Sequence, residues 1–162
     1  MIVLGIDPGL ARCGWAVIEQ NARKDNKIID FGCIETKATT ELPQRLTALY
    51  STLEEIINKY KPHVVSLEKQ YLFMNNKSVL ATSQARGVIV LVAARNNLPI
   101  REYNPKLVKM SVTGYGAADK QQIQRMVKIL LKLKEIPTPD DIADAMAVGL
   151  CHLNSASLNL KL

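Results

Sequence analysis

Four carboxylates occupy positions where an acid is awkward, and together they describe one chemistry. Asp7 closes the apolar run that begins at Ile2, and Glu68 closes Val64-Val65-Ser66-Leu67. Each falls at the C-terminal end of an expected strand, the edge at which α/β sheets bind ligands. Asp141 and Asp144 are three residues apart in a segment with helical patterning, so they share one face near its start. A helix laid across the sheet edge would bring all four together. Such a cluster repels itself unless cations sit in it. Oxygen donors without Cys or His suit a hard divalent ion, Mg2+ or Mn2+. Two ions about 3.5–4 Å apart activate water on one side of a phosphodiester and stabilise the leaving oxygen on the other. Each acid also has a plainer role. Asp7 before Pro8-Gly9 suits a turn, Glu68 a solvated strand end, and Asp141 the third position of a capping box. Asp140 and Asp144 suit the positive end of a helix dipole. Spacing leaves both readings open.

The charge distribution adds weight to the phosphodiester. The chain has 162 residues and a formal net charge of +6. Between Lys69 and Lys134 stand twelve Lys and Arg against only Glu102 and Asp119, while the remainder is net acidic. A basic block flanked by acidic ends suits a polyanion partner, although a solvated surface would look the same. Hydrophobic residues make up 48% and charged residues 22% of the chain, a globular composition that excludes disorder. The longest wholly apolar run, Val88 to Ala94, falls far short of the roughly 20 residues a membrane helix needs. No basic-then-apolar signal segment opens the chain. Cys13, Cys33 and Cys151 are odd in number, far apart and in no metal-ligand spacing. They suit a reducing compartment, so a cytoplasmic location is expected. His63 and His152 are isolated and read as structural.

The elements that must position these residues follow from periodicity. No repeat, low-complexity tract or linker interrupts residues 1–162, so one domain is expected, with a tail that frays from about Asn154. Apolar runs at 2–7, 15–19 and 28–36 read as strands, the last with a bulge at Gly32 and the polar loop 21–26 as a hairpin connection. Leu42, Leu46, Leu49, Leu53, Ile56, Ile57 and Tyr60 recur at three- and four-residue steps, which predicts a helix over 41–60. A strand at 63–68, a helix at 78–96 capped by Ser78, a strand at 98–103 and a helix at 119–133 follow. A final helix runs from a Thr138 cap, with Pro139 first and Asp141 third, to about His152. Three adjacent strands and then alternating helix and strand predict an α/β fold, a mixed five-stranded sheet flanked by helices. Segment 78–96 is apolar nearly all round, with Val79, Leu80, Val88, Ile89, Val90, Leu91 and Val92 covering more than one face. That suits a homodimer through this helix, with Gly87 allowing close approach to a partner or to the sheet.

Several segments carry a resemblance. Gly5-Ile6-Asp7-Pro8-Gly9 with Gly14 and Ala16-Val17-Ile18, then Leu67-Glu68, Gln84-Ala85-Arg86-Gly87 and Lys106-Leu107-Val108-Lys109 are among them. So are Thr113-Gly114-Tyr115-Gly116-Ala117-Ala118-Asp119-Lys120 and Asp141-Ile142-Ala143-Asp144-Ala145-Met146-Ala147. Together they resemble the RuvC family of Holliday-junction endonucleases over nearly the whole chain. The resemblance implies a ribonuclease H-like fold whose first three strands are antiparallel neighbours. It implies metal-dependent, paired and symmetric incision of four-way DNA junctions in recombination and repair, leaving 5′-phosphate and 3′-hydroxyl nicks. It implies that Asp7, Glu68, Asp141 and Asp144 hold the metal and that Lys109 and Lys120 act in cleavage. It also implies an aromatic inserted near the crossover bases, at Tyr71 where other members carry Phe, with Phe73 as the alternative. Lys77, Arg86, Lys106, Lys109 and Lys120 are the expected DNA contacts. Two Mg2+ ions per site, with Mn2+ able to replace them, and the RuvA–RuvB branch-migration complex as partner complete the expectation. A related nuclease of the YqgF group, a phosphate-loop kinase or chaperone ATPase, and a non-catalytic junction binder are the competing readings. The basic 106–120 segment, the length and the intact acid quartet respectively weigh against them.

Overall fold

The computed structural model describes residues 1–69 and 77–157, and the side chains of 1–69 and 79–155. Strands β1 (Ile2–Asp7), β2 (Arg12–Gln20), β3 (Asn26–Glu35), β4 (Val64–Glu68) and β5 (Ile100–Tyr103) form one sheet in the order β3-β2-β1-β4-β5. β1, β2 and β3 are antiparallel neighbours joined by tight connections, whereas β4 and β5 run parallel to β1. The parallel pairs are reached through helical crossovers, α1 (Leu42–Tyr60) and α2 (Lys77–Arg95). The remaining helices are α3 (Pro105–Thr113), α4 (Lys120–Leu130) and α5 (Asp140–Ser157). This is the mixed five-stranded sheet expected from the element order, and its three antiparallel leading strands are the ribonuclease H-like arrangement that the resemblance implied.

Side-chain alternation along the strands separates two cores. Leu4, Ile6, Val17, Val65 and Leu67 pack with Leu49, Leu53 and Ile57 of α1 and Ile89 and Val92 of α2. Val3, Ala16, Ile18 and Val64 face the other way, against α3, α4 and α5. The same period of two puts Gly5 and Asp7 of β1, and Ser66 and Glu68 of β4, on the α5 side. α5 lies very close to the sheet there. A Cβ on Gly5 would stand 2.2 Å from the Ala145 carbonyl oxygen, and one on Gly14 only 2.0 Å from that of Asp141. Ser66 Oγ donates to the Val148 carbonyl at 2.8 Å, fixing the rotation of the helix over β4.

Several boundaries differ from the sequence reading. The sheet's register shift falls between Val17 and Ile18 rather than at Gly32, which instead accommodates the Trp15 indole. α2 begins at Lys77, so Ser78 lies inside it and does not cap it. α5 begins at Asp140, after a cis Thr138–Pro139 bond, so Pro139 precedes the helix rather than opening it. It continues through Ser157, past the expected fray point, and Asn154 Nδ2 donates to the Ser111 carbonyl at 3.0 Å. α3 is a helix the periodicity did not reveal. Asn104 caps it by accepting from Lys106 N, Pro105 opens it, and Gly114 ends it at φ 75°. The two histidines are structural: His63 Nδ1 accepts from Ile2 N at 2.9 Å, and Tyr103 Oη lies 2.6 Å from His152 Nδ1. Cys13 and Cys151 are buried and Cys33 half-buried, all as free thiols.

Candidate active site

The site is built from two strand ends and two helix starts. The last registered pair of β1 and β4 is Ile6 with Leu67, so Asp7 and Glu68 follow side by side at the C-terminal edge of parallel strands. Asp7 also pairs across to Gly14 of β2. Because Gly14 has no side chain, the first turn of α5 rests on the strand beside Asp7, carrying Asp141 and Asp144. All four carboxylates are half-buried.

Electrostatics register their mutual proximity. Burial, then the charges of Asp144, Asp141 and Glu68, push the Asp7 carboxyl up to about 7. Burial and Asp144 raise Glu68, with the Lys109 ammonium opposing. Burial raises Asp144, with Lys120 opposing. Asp140, one residue before the paired acids, behaves in the opposite way: its hydrogen bond with Lys120 holds it below the usual carboxylate range.

Two cations already touch the acids. Lys120 Nζ lies 2.5 Å from Asp140 Oδ2 and 3.2 Å from Asp144 Oδ2. Arg12 Nε lies 3.3 Å from Asp141 Oδ2, yet that buried oxygen has no hydrogen bond in good geometry. With Asp141 turned to Arg12 and Asp144 to Lys120, no three His, Cys, Asp or Glu side chains among the described residues close around one point as they stand. The donor set nevertheless fits a hard divalent ion: every donor is a carboxylate oxygen, one is buried without a hydrogen bond, and burial together with the neighbouring acids opposes ionisation of Asp7. Glu68, Asp144, Lys109 and Lys120 line a common cleft of about 220 Å³, floored by Val108 and Ala147.

Other residues singled out from the sequence are placed as follows. The Lys106 stem lies under the turn at Gly116. Arg86 is half-buried: its guanidinium donates to Glu102 of β5, and its Nη1 is buried without a hydrogen-bond partner. The Lys77 side chain, Tyr71 and Phe73 lie outside the described residues. Two residues at the acids escaped the sequence reading, Arg12 and the Lys120-binding role of Asp140. Arg12 gave no signal, since its meeting with Asp141 depends on the close approach of α5 at Gly14.

Acids gathered on the C-terminal edge of a ribonuclease H-like sheet, with lysines across the cleft, define the class of metal-dependent nucleases that cut phosphodiesters. The family model described as "Crossover junction endodeoxyribonuclease RuvC" matches residues 3–152. A crossover junction endodeoxyribonuclease RuvC of Endomicrobium trichonymphae is 50% identical over 98% of this chain and 84% of its own length. That of Caldicellulosiruptor saccharolyticus is 51% identical over 97% of this chain and 95% of its own. The solved structure of T. thermophilus RuvC in complex with a Holliday junction substrate superposes with a TM-score of 0.89 at 25% identity, over 98% of this chain and 97% of that one. The chain belongs to the RuvC family of crossover junction endodeoxyribonucleases, the enzymes that resolve Holliday junctions, and shares that family's dependence on divalent metal.

Proposed function

We propose that the whole chain works as one nuclease domain, in a homodimer that nicks two strands of a four-way DNA junction symmetrically. Each nick would leave 5′-phosphate and 3′-hydroxyl ends. The observation that carries this reading is the shared cleft, where the strand-end acid Glu68 and the helix acid Asp144 face Lys109 and Lys120.

In this reading Asp7, Glu68, Asp141 and Asp144 hold two Mg2+ ions, for which Mn2+ can substitute. Bound there, the ions would supply an activated water and charge stabilisation of the leaving oxygen. The chain's own residues do the rest. The carboxylates, fixed by the sheet and by the seating of α5, set where the ions would sit and thus where the scissile phosphate would be held. Lys109 and Lys120, on the opposite wall, offset the charge that develops on phosphate and leaving group. Lys106 and the basic face of α4 contact flanking phosphates and set affinity rather than rate. Lys77, Arg86 and the aromatics Tyr71 and Phe73 complete the proposed DNA contacts, the aromatics by stacking on bases at the crossover. RuvA–RuvB is the proposed branch-migration partner and the cytoplasm the proposed compartment. Among the described residues no helix is long and apolar enough to cross a membrane.

The dimer is supported by α2. Ala85, Ile89, Val92 and Ala93 face the core, while Leu80 and Leu91 on the outer face are 63% and 53% exposed. A Cβ on Gly87 would meet nothing within 4 Å, so this glycine is not needed for approach to the sheet. An apolar outer face of this kind suits an isologous contact with a second copy, whose two-fold axis matches that of the junction.

The test is incubation with an immobile four-way junction and a matching linear duplex, in Mg2+ and in EDTA. Paired nicks confined to the junction and dependent on metal are expected. Equal cutting of the duplex would remove the junction selectivity. Leu91→Glu, an exposed position, is expected to halve the mass seen in sedimentation and to turn paired incision into single, uncoupled nicks. An unchanged mass would remove α2 as the interface.

A further inference from the structure

Lys120 is the cation most firmly committed to the acids, and its partners are unequal. Its backbone is fixed at the start of α4 by a capping box: Asp119 Oδ1 accepts from Gln122 N at 2.8 Å, and Gln122 Oε1 accepts from Asp119 N at 2.9 Å. From there the side chain reaches across to the first turn of α5. Its ammonium sits between Asp140 at 2.5 Å and Asp144 at 3.2 Å, two carboxylates spaced i, i+4 on one face of the helix. Asp144 lines the cleft with Lys120, whereas Asp140 is not among the cleft residues and its side chain is 39% exposed.

We propose that Asp140 is a positioning residue for Lys120, retaining its ammonium at the mouth of the cleft, where the phosphate lies once Asp144 is engaged elsewhere. The proposal rests on the reading of Lys120 as a cation acting in cleavage. A metal ion held by Asp144 would repel the ammonium that now stands 3.2 Å from that carboxylate. A lysine has four rotatable bonds and a strongly hydrated head, so a released Lys120 would spread over solvent-exposed rotamers. Asp140 lies one helical turn away on the same face and leaves the ammonium a fixed partner that no ion claims. Lys120 then pivots between two carboxylates rather than leaving the site. The chemistry of the contact is specific: a charged acceptor is needed at position 140, and the helix start would tolerate Asn equally well.

The experiment is steady-state cleavage of the immobile junction at saturating Mg2+ by Asp140→Asn, Asp140→Glu, Lys120→Ala and the Asp140→Asn/Lys120→Ala pair, with junction binding measured directly in EDTA. Asp140→Asn is expected to lower kcat about fivefold, the size that loss of one exposed ion pair supports. KM and EDTA binding should stay unchanged or become tighter, since a negative charge facing DNA has gone. Asp140→Glu should restore kcat to within about twofold, and the pair should be no slower than Lys120→Ala alone. An Asp140→Asn enzyme with full kcat, where Lys120→Ala is impaired, would overturn the proposal. So would losses that add in the pair, or a loss that appears only when Mg2+ is lowered below saturation, which would make Asp140 a ligand. A Lys120→Ala enzyme that cuts at full rate would remove the reading of Lys120 and the proposal with it.

Discussion

Asp7→Asn is expected to abolish junction cleavage, by about a thousandfold or more, while the metal-free protein becomes more stable and still binds the junction. Both halves have one cause. The Asp7 carboxyl is pushed up to about 7 by burial and by Asp144, Asp141 and Glu68. Its folded form therefore holds a proton more tightly than the unfolded chain, in which a carboxyl titrates near 4. Ionisation then works against the fold. The penalty is absent below about pH 4, grows as pH rises, and is complete above about pH 7. Metal-free wild type should lose stability across that window, and Asp7→Asn should lose less. A shift of this kind is worth a few kcal/mol at most, so at pH 8 in EDTA the variant should melt about 5 °C higher. Added Mg2+ should raise the wild-type Tm and raise that of the variant far less, because an ion that binds only the folded site stabilises by mass action. Melting curves in EDTA and in Mg2+ at pH 5 and pH 8 check all of this without an activity assay. A lower Tm for the variant at pH 8 would mean that Asp7 is not the repelled carboxylate described above.

Gly14→Ala is expected to be the next most damaging to activity, although Gly14 carries no functional group. A Cβ there would stand 2.0 Å from the Asp141 oxygen and 2.3 Å from its carbonyl carbon, both backbone atoms that no rotamer change can move. The first turn of α5 must lift from β2, and Asp141 and Asp144 lift with it. A displacement near 1 Å at reacting groups costs about a hundredfold in rate. Forced overpacking costs about 1–3 kcal/mol. The variant should thus remain folded, bind the junction, and cut about a hundredfold more slowly. Its Tm gain on adding Mg2+ should be smaller than that of wild type. Full activity with unchanged melting would mean that α5 is not seated through this contact.

Much of this site could be read from the sequence because it depends on local periods. An acid ending a buried strand is visible in a one-dimensional pattern, and β1 and β4 place Asp7 and Glu68 side by side through alternation alone. The i, i+3 spacing of Asp141 and Asp144 is equally local. What escaped is set by tertiary approach. The pairing of Arg12 with Asp141 joins elements far apart in the chain, while the attachment of Lys120 to Asp140 and the engagement of Arg86 by Glu102 join consecutive elements through how these pack. No spacing rule encodes which surface cation meets which acid. α3 was missed for a different reason. Nine residues hold only two buried positions, Val108 and Val112, too few for a periodic signal, although Asn104-Pro105 and Gly114 mark its ends. The start of α5 was misjudged because Thr138-Pro139 imitates a cap and first turn, whereas the helix begins after the proline.

The seating of the last helix on the first hairpin also governs when the enzyme comes into being. Asp7 and Gly14 leave the ribosome long before Asp141 and Asp144, which follow them by more than 100 residues. The sheet can pair and cover one face with α1 and α2 while synthesis continues, but its other face and its acids stay incomplete until α5 docks. Joining two ends of a chain is the slow, non-local step of such a topology. A nascent or prematurely ended chain therefore already carries the lysines that hold DNA but lacks half of the carboxylates. Cutting power arrives only in molecules whose synthesis has run past α5.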